Sequence, residues 1–100
     1  MIKHVVMWKF KPEIDEGQKQ KLKDDMAENL EGLVGIVPGL IKADFIKEPV
    51  DSSTHDMALI SVHETKEALA AYSSYPDHVK VADTYIRPFV HERCCLDYEE

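Results

Sequence analysis

This sequence has little to tie it to a membrane, a nucleic acid or an oxidising compartment. Its 100 residues include only two cysteines, Cys94 and Cys95. They are adjacent, so no loop-closing disulfide can form within one chain. No apolar run approaches the roughly 20 residues that cross a bilayer. The opening segment from Met1 to Phe10 is broken by charge every few residues and lacks a small-residue cleavage site, so it reads as a strand and not as a signal peptide. Basic residues are the minority, 12 against 19 acidic ones, for a net charge of -7. Phosphate backbones and anionic lipids repel such a surface, and no run of Lys and Arg overrides it. Neither nucleic acid nor membrane is an expected partner, and cytoplasm is the expected location. The sequence also lacks a Gly-rich phosphate loop, a nucleophile elbow and a haem-attachment motif.

What is present suffices for one core. Hydrophobic residues make up 44% of the chain, and its length suits a single domain over residues 1–100. Residues 2–10 alternate as a strand, with Ile2, His4, Val6, Trp8 and Phe10 on one face. Asp15 and Gln18 have capping-box spacing before a helix running to about Val34. Its apolar stripe is Leu22, Met26, Leu30, Leu33 and Val37. Gly35, Pro38 and Gly39 punctuate the exit.

Further strands are expected over Leu40–Lys47 and His55–His63, the latter with Met57, Leu59 and Ser61 on one face and Ala58, Ile60 and Val62 on the other. Thr65 is the expected N-cap of a short helix through Ser73, whose inner face is Ala68, Leu69 and Tyr72. Pro76 fits the first turn of a further helix to about Ile86, and Pro88 opens a last strand to about Tyr98. Cys94 and Cys95 fall on opposite sides of that strand and read as small buried hydrophobes.

The order is strand, helix, two strands, a broken helix and a strand. This predicts an α+β, ferredoxin-like βαββαβ fold: a four-stranded antiparallel sheet with its helices on one face. The first and third strands carry apolar residues on both faces, so the bare sheet face also needs a cover. A second copy of the same sheet supplies it. The expectation is a homodimer joined through the sheet face, a dimeric α/β barrel.

With these elements placed, the chain resembles the stress-responsive A/B-barrel family of the dimeric α/β-barrel superfamily. The likeness is carried by Met1–Phe10, by Val37-Pro38-Gly39-Leu40, by the stretch from Ala68 to His78, and by Leu96-Asp97-Tyr98. The resemblance implies a dimeric barrel. Some plant members of the family are polyketide cyclases whose tyrosine and histidine match Tyr72 and His78. Many members read His-Pro-x-His where this chain has Tyr75-Pro76-Asp77-His78, so the first histidine is replaced. Many also carry an aromatic where this chain has His63. Other barrels of the superfamily are monooxygenases, isomerases and haem-degrading enzymes, and the fold alone selects no chemistry.

The residues themselves suggest how such a site would work. His78 would be the third residue of a helix opened by Pro76, where the dipole disfavours imidazolium. A neutral imidazole there can take a proton from a carbon beside a carbonyl. Tyr72 can donate to the developing enolate oxygen. His4, on the face of Val6 and Trp8, points towards the same space, and Val6, Trp8, Met57, Leu59 and Leu69 would form an apolar wall. Against this stands a structural reading, in which Tyr72 is a core aromatic whose hydroxyl has found a partner and His78 merely caps or bridges.

No metal set is evident. His55 and His63 share a strand face but lie about 26 Å apart at about 3.3 Å per residue, and no Cys or His pair has zinc spacing. No cofactor is implied. Three functional readings therefore stand: a small-molecule-binding protein with cofactorless Tyr72/His78 acid–base chemistry of a cyclase or isomerase kind, a non-catalytic stress or assembly protein, and a cofactorless monooxygenase.

Overall fold

The computed structural model describes residues 1–100 throughout. Its strands are β1 (Ile2–Phe10), β2 (Leu40–Ile46), β3 (Met57–His63) and β4 (Val90–Glu99). Its helices are α1 (Lys19–Glu31), α2 (Lys66–Ser74) and α3 (Pro76–Val81), which continues into a π-helical turn over Ala82–Ile86. All strand pairings are antiparallel and the sheet order is β2-β3-β1-β4. This is the ferredoxin-like βαββαβ fold. No helix is long and apolar enough to cross a membrane.

The alternating strands divide cleanly. Ile2, His4, Val6, Trp8 and Phe10 of β1 are buried, as are Met57, Leu59, Ser61 and His63 of β3. These side chains meet Met26 and Leu30 of α1, Tyr72 of α2 and Ile86 of the π-turn in one core. The other sheet face carries Val5, Met7, Ile60, Val62, Leu96 and Tyr98, of which Met7, Leu96 and Tyr98 are exposed.

Caps and turns set where the helices start and stop. Thr65 accepts a hydrogen bond from the Ala68 amide and starts α2 as expected. The Asp15–Gln18 capping box does not form. A 3₁₀ turn (Glu16–Gln18) precedes α1 instead, and there the Gln18 amide bonds the Asp15 carbonyl while the Asp15 side chain caps nothing. Helix α1 stops at Glu31, earlier than the apolar stripe suggests. Gly35 at φ 91° belongs to a turn, and Leu33 and Val37 reach the core from outside the helix. Gly39 is required twice over. Its φ is 82°, and a Cβ there would lie 2.6 Å from the Ala68 Cβ, so only glycine lets α2 rest on this loop.

The last strand departs most from expectation. Lys9 pairs with His91 but Met7 pairs with Cys94, so two residues of β4 face Trp8 alone. This is a β-bulge, and Glu92 adopts φ 51° within it. The extra residue inverts the alternation. Val90 faces the helices, opposite Phe10, yet beyond the bulge Cys95 pairs with the inward-facing Val6 and Asp97 with the inward-facing His4. Cys94 and Cys95 are free and exposed, not buried, because β4 is an edge strand that no helix covers past Val90.

Candidate functional site

Tyr72 lies in the last full turn of α2 and faces the sheet, 2% exposed. The helix ends because Pro76 excludes helical geometry from its predecessor, and Tyr75 is extended at φ -62°, ψ 130°. The chain re-enters a helix at once, and the break folds His78 back over Tyr72 with ring centroids 4.2 Å apart. His78 Nδ1 donates to the Ser73 carbonyl at 3.2 Å. That carbonyl is one of the acceptors left open at the end of α2. The bond fixes the neutral tautomer and leaves Nε2 as an acceptor.

Two further imidazoles complete the cluster. His63 is fully buried, its centroid 4.8 Å from Tyr72, and its Nε2 shares a 2.9 Å hydrogen bond with the Ser61 hydroxyl. This bond is why a serine and a histidine are tolerated on the inner face of β3. His4 lies 6.4 Å from Tyr72 and 6.0 Å from His63, and its Nδ1 is hydrogen-bonded to the Asp97 carboxylate. Two buried polar atoms have no hydrogen-bond partner in the protein: the Tyr72 hydroxyl and His63 Nδ1.

These residues border a cavity of about 200 Å³ lined by His4, Val6, Trp8, Leu30, Leu59, Tyr72, Ser73, His78, Ala82, Ile86, Arg87 and Arg93. Six of the eight side chains expected from the sequence are therefore brought together: Tyr72, His78, His4, Val6, Trp8 and Leu59. The other two are not on the wall. Met57 is closed into the core, 2% exposed, and Leu69 packs against that core from an earlier turn of α2. Arg87, Arg93 and the partners His63 and Asp97 are not among the site residues expected from the sequence. The parity of Met57, Leu59 and Ser61 already places His63 inward, but nothing in the sequence announces the bulge that turns Arg93 and Asp97 inward.

The electrostatics favour neutral groups. Burial raises the Tyr72 pKa to about 12, so its hydroxyl keeps its proton. Burial, with a lesser contribution from His4, lowers His63 to about 4. His78 is also lowered, chiefly by burial, with the Ser73 carbonyl opposing and Arg87, His4 and Arg93 adding. At Asp97 burial works against ionisation, but the hydrogen bond and charge of His4 outweigh it and hold the carboxyl below its usual range.

One donor set could in principle hold a metal. His4 Nδ1, Cys95 Sγ and an Asp97 oxygen all lie within 4.8 Å of one another. The sequence hides this trio because the bulge brings its members onto one face. The imidazole and carboxylate are already bonded to each other, and burial and the Asp97 carboxylate raise the Cys95 thiol pKa, disfavouring the thiolate a metal needs.

A model of the stress responsive A/B barrel domain matches residues 2–100. No curated protein matches the sequence. Among solved structures, a dimeric protein of unknown function with a ferredoxin-like fold from Bacteroides fragilis superposes with a TM-score of 0.90 at 22% identity, covering 99% of this chain and 95% of that one. A Dabb family protein from Mesorhizobium loti gives 0.75 at 17% identity, with 99% and 95% covered. A hydroxynitrile lyase from Passiflora edulis gives 0.70 at 15% identity, with 97% and 90% covered. At these identities the likeness to solved structures concerns the fold.

Proposed function

The chain belongs to the stress responsive A/B barrel domain family, and we propose that its cavity binds a small, partly apolar carbonyl compound and moves a proton on it without a cofactor. The observation that carries this reading is Tyr72: its hydroxyl is buried and unpaired within the protein, the residue lines a cavity, and its ring lies 4.2 Å from that of His78. A buried donor with no partner costs stability, about 1–3 kcal/mol. Such groups are retained where a ligand completes them.

The roles follow from the protonation states. His78 is neutral with Nε2 free, so it is the base for a proton on a carbon next to a carbonyl. Tyr72, pushed up to about 12, is a donor and not a base. It holds the carbonyl oxygen as negative charge grows there. His63 keeps the far side of the Tyr72 ring uncharged. Val6, Trp8, Leu30, Leu59 and Ile86 hold the rest of the molecule. Enolisation of this kind begins cyclisations and isomerisations alike. At about 200 Å³ the cavity is smaller than the roughly 300–1,000 Å³ usual for drug-sized ligands, so the ligand is of about one ring.

The unit that works is a homodimer in this proposal. Val5, Met7, Ile60, Val62, Leu96 and Tyr98 form an apolar sheet face that a second copy covers by two-fold packing of the sheets. The Bacteroides fragilis neighbour, of the same fold, is dimeric.

The reading is tested by a crystal structure of the protein soaked with small aryl ketones such as phenylacetone. The expected result places the carbonyl oxygen within hydrogen-bond distance of the Tyr72 hydroxyl and the α-carbon towards His78 Nε2. A cavity that takes up no ketone at saturating concentration, or holds it with the carbonyl turned away from Tyr72, overturns it.

A further inference from the structure

Arg87 and Arg93 are the only arginines among the 100 residues, and both line the one cavity that holds Tyr72 and His78. Each is delivered there by a backbone irregularity. Arg93 follows Glu92 at the bulge. Without the inserted residue, the alternation that starts with inward-facing Val90 would put position 93 on the open sheet face. Glu92 sits in the left-handed region, which non-glycine residues enter at a cost, and strain of this sort is retained where it aims a side chain. Arg87 ends the π-helical turn. Its amide bonds the Ala82 carbonyl at 2.8 Å, five residues back, and the extra residue in that turn rotates the residues after it about the helix axis.

The nearby carboxylates are already engaged. Asp97 is held by His4, and Asp83 pairs with Arg87 along the outside of the turn. Arg93 has no carboxylate partner, in a chain where acidic residues outnumber basic ones by 19 to 12. Two exposed arginines, one without a carboxylate partner and one paired with Asp83, thus line the same cavity as Tyr72, the histidines His4 and His78, and an apolar wall.

We propose that the ligand of this cavity is an organic anion, a small carboxylate-bearing carbonyl compound whose carboxylate is taken by Arg93 and Arg87. The apolar body lies against Val6, Trp8 and Leu59, and the carbonyl oxygen meets Tyr72. A planar guanidinium fork matches a carboxylate through two parallel hydrogen bonds, which is why arginine rather than lysine occupies such positions. Burial is the main cause of the lowered His78 pKa, and the two cations add to it, which suits a base. The inference rests on the proton-transfer reading of the same cavity but adds to it the charge of the ligand.

The test is binding to the full-length protein, read by ¹⁵N–¹H NMR shifts, of matched acid and amide pairs: phenylacetate with phenylacetamide, hexanoate with hexanamide, and 4-oxopentanoate with its amide. Each acid is expected to bind at least tenfold more tightly than its amide, and the preference should shrink as salt rises. Arg93→Gln should weaken each acid roughly tenfold and leave the amide unchanged. Arg87→Gln should do the same more weakly, since Asp83 shares that side chain. Equal binding of acids and amides overturns the inference while leaving the cavity reading intact. No shift at Tyr72, His78 or Trp8 with any probe overturns both. Unaltered acid binding in the Arg87/Arg93 double variant, with its spectrum showing the native fold, also overturns the inference.

Discussion

Replacing Tyr72 by phenylalanine removes one oxygen atom and separates the two roles this residue could have. The ring is 2% exposed and stays packed between His63 and His78, so no cavity opens and the burial of the ring is unchanged. Were the hydroxyl bonded within the core, its loss would cost about 1 kcal/mol, and more for the partner left behind. No protein group bonds it. Tyr72→Phe is therefore expected to leave stability unchanged or to raise it by up to about 1 kcal/mol as an uncompensated desolvation is removed. A gain of that size is a Tm increase of roughly 4–8 °C in a domain of this length. Tyr72→Ala, which empties the ring's volume, should instead cost about 3–5 kcal/mol. The assay is urea unfolding at fixed protein concentration, followed by fluorescence of Trp8, the only tryptophan and 8% exposed. A loss above about 1 kcal/mol in Tyr72→Phe would mean that the hydroxyl is a structural bond, and the reasoning would fall.

Other expectations rest on single contacts. Burial lowers the His63 pKa to about 4 in the folded protein, against an ordinary value of 6.5. The unfolded chain therefore binds that proton first as the pH falls below about 6.5, and stability drains away between pH 6.5 and 4 by up to about 3 kcal/mol. His63→Phe should flatten this acid limb in pH-dependent urea melts, and an unchanged slope would assign the limb to other groups. Gly39→Ala meets both a φ of 82° and a 2.6 Å approach to the Ala68 Cβ. It should destabilise by about 2 kcal/mol or more by the same assay, and a neutral result would contradict the packing of α2 on that loop. Leu96→Asp puts a charge on the open sheet face, on its edge strand, where Leu96 is 66% exposed in the single chain. Light scattering should show the wild type as a dimer and this variant as a monomer, whereas a monomeric wild type at micromolar concentration would remove the dimer proposal.

The helices and strands were legible because each is written locally. Period-two alternation marks β1 and β3, Thr65 caps α2, and Pro76 cuts one helical segment into two. Within the site, Tyr72 and His78 were legible for the same reason, since their meeting depends on a break only a few residues long. What the sequence concealed comes from events without a local signature. Glu92 looks like any strand glutamate, yet its left-handed conformation flips every later side chain of β4, turning Arg93, Cys95 and Asp97 to the face of His4 and Val6. The π-turn at Ala82–Ile86 likewise reads as ordinary helix. Capping-box spacing at Asp15 failed because a 3₁₀ turn, closed by backbone alone, satisfied the first amide. Met57 and Leu69 have the right parity for the wall, but parity sets a face and not a position along it.

The most direct test of the account is solvent deuterium exchange at carbon beside a carbonyl. The wild-type protein would be incubated in D₂O with a panel of small ketones and oxo-acids, and loss of the α-proton signal followed by NMR. The account predicts exchange above the buffer rate, and its loss in both Tyr72→Phe and His78→Ala while each variant keeps the native fold. Exchange at the buffer rate across the panel, or exchange that survives both substitutions, would contradict it.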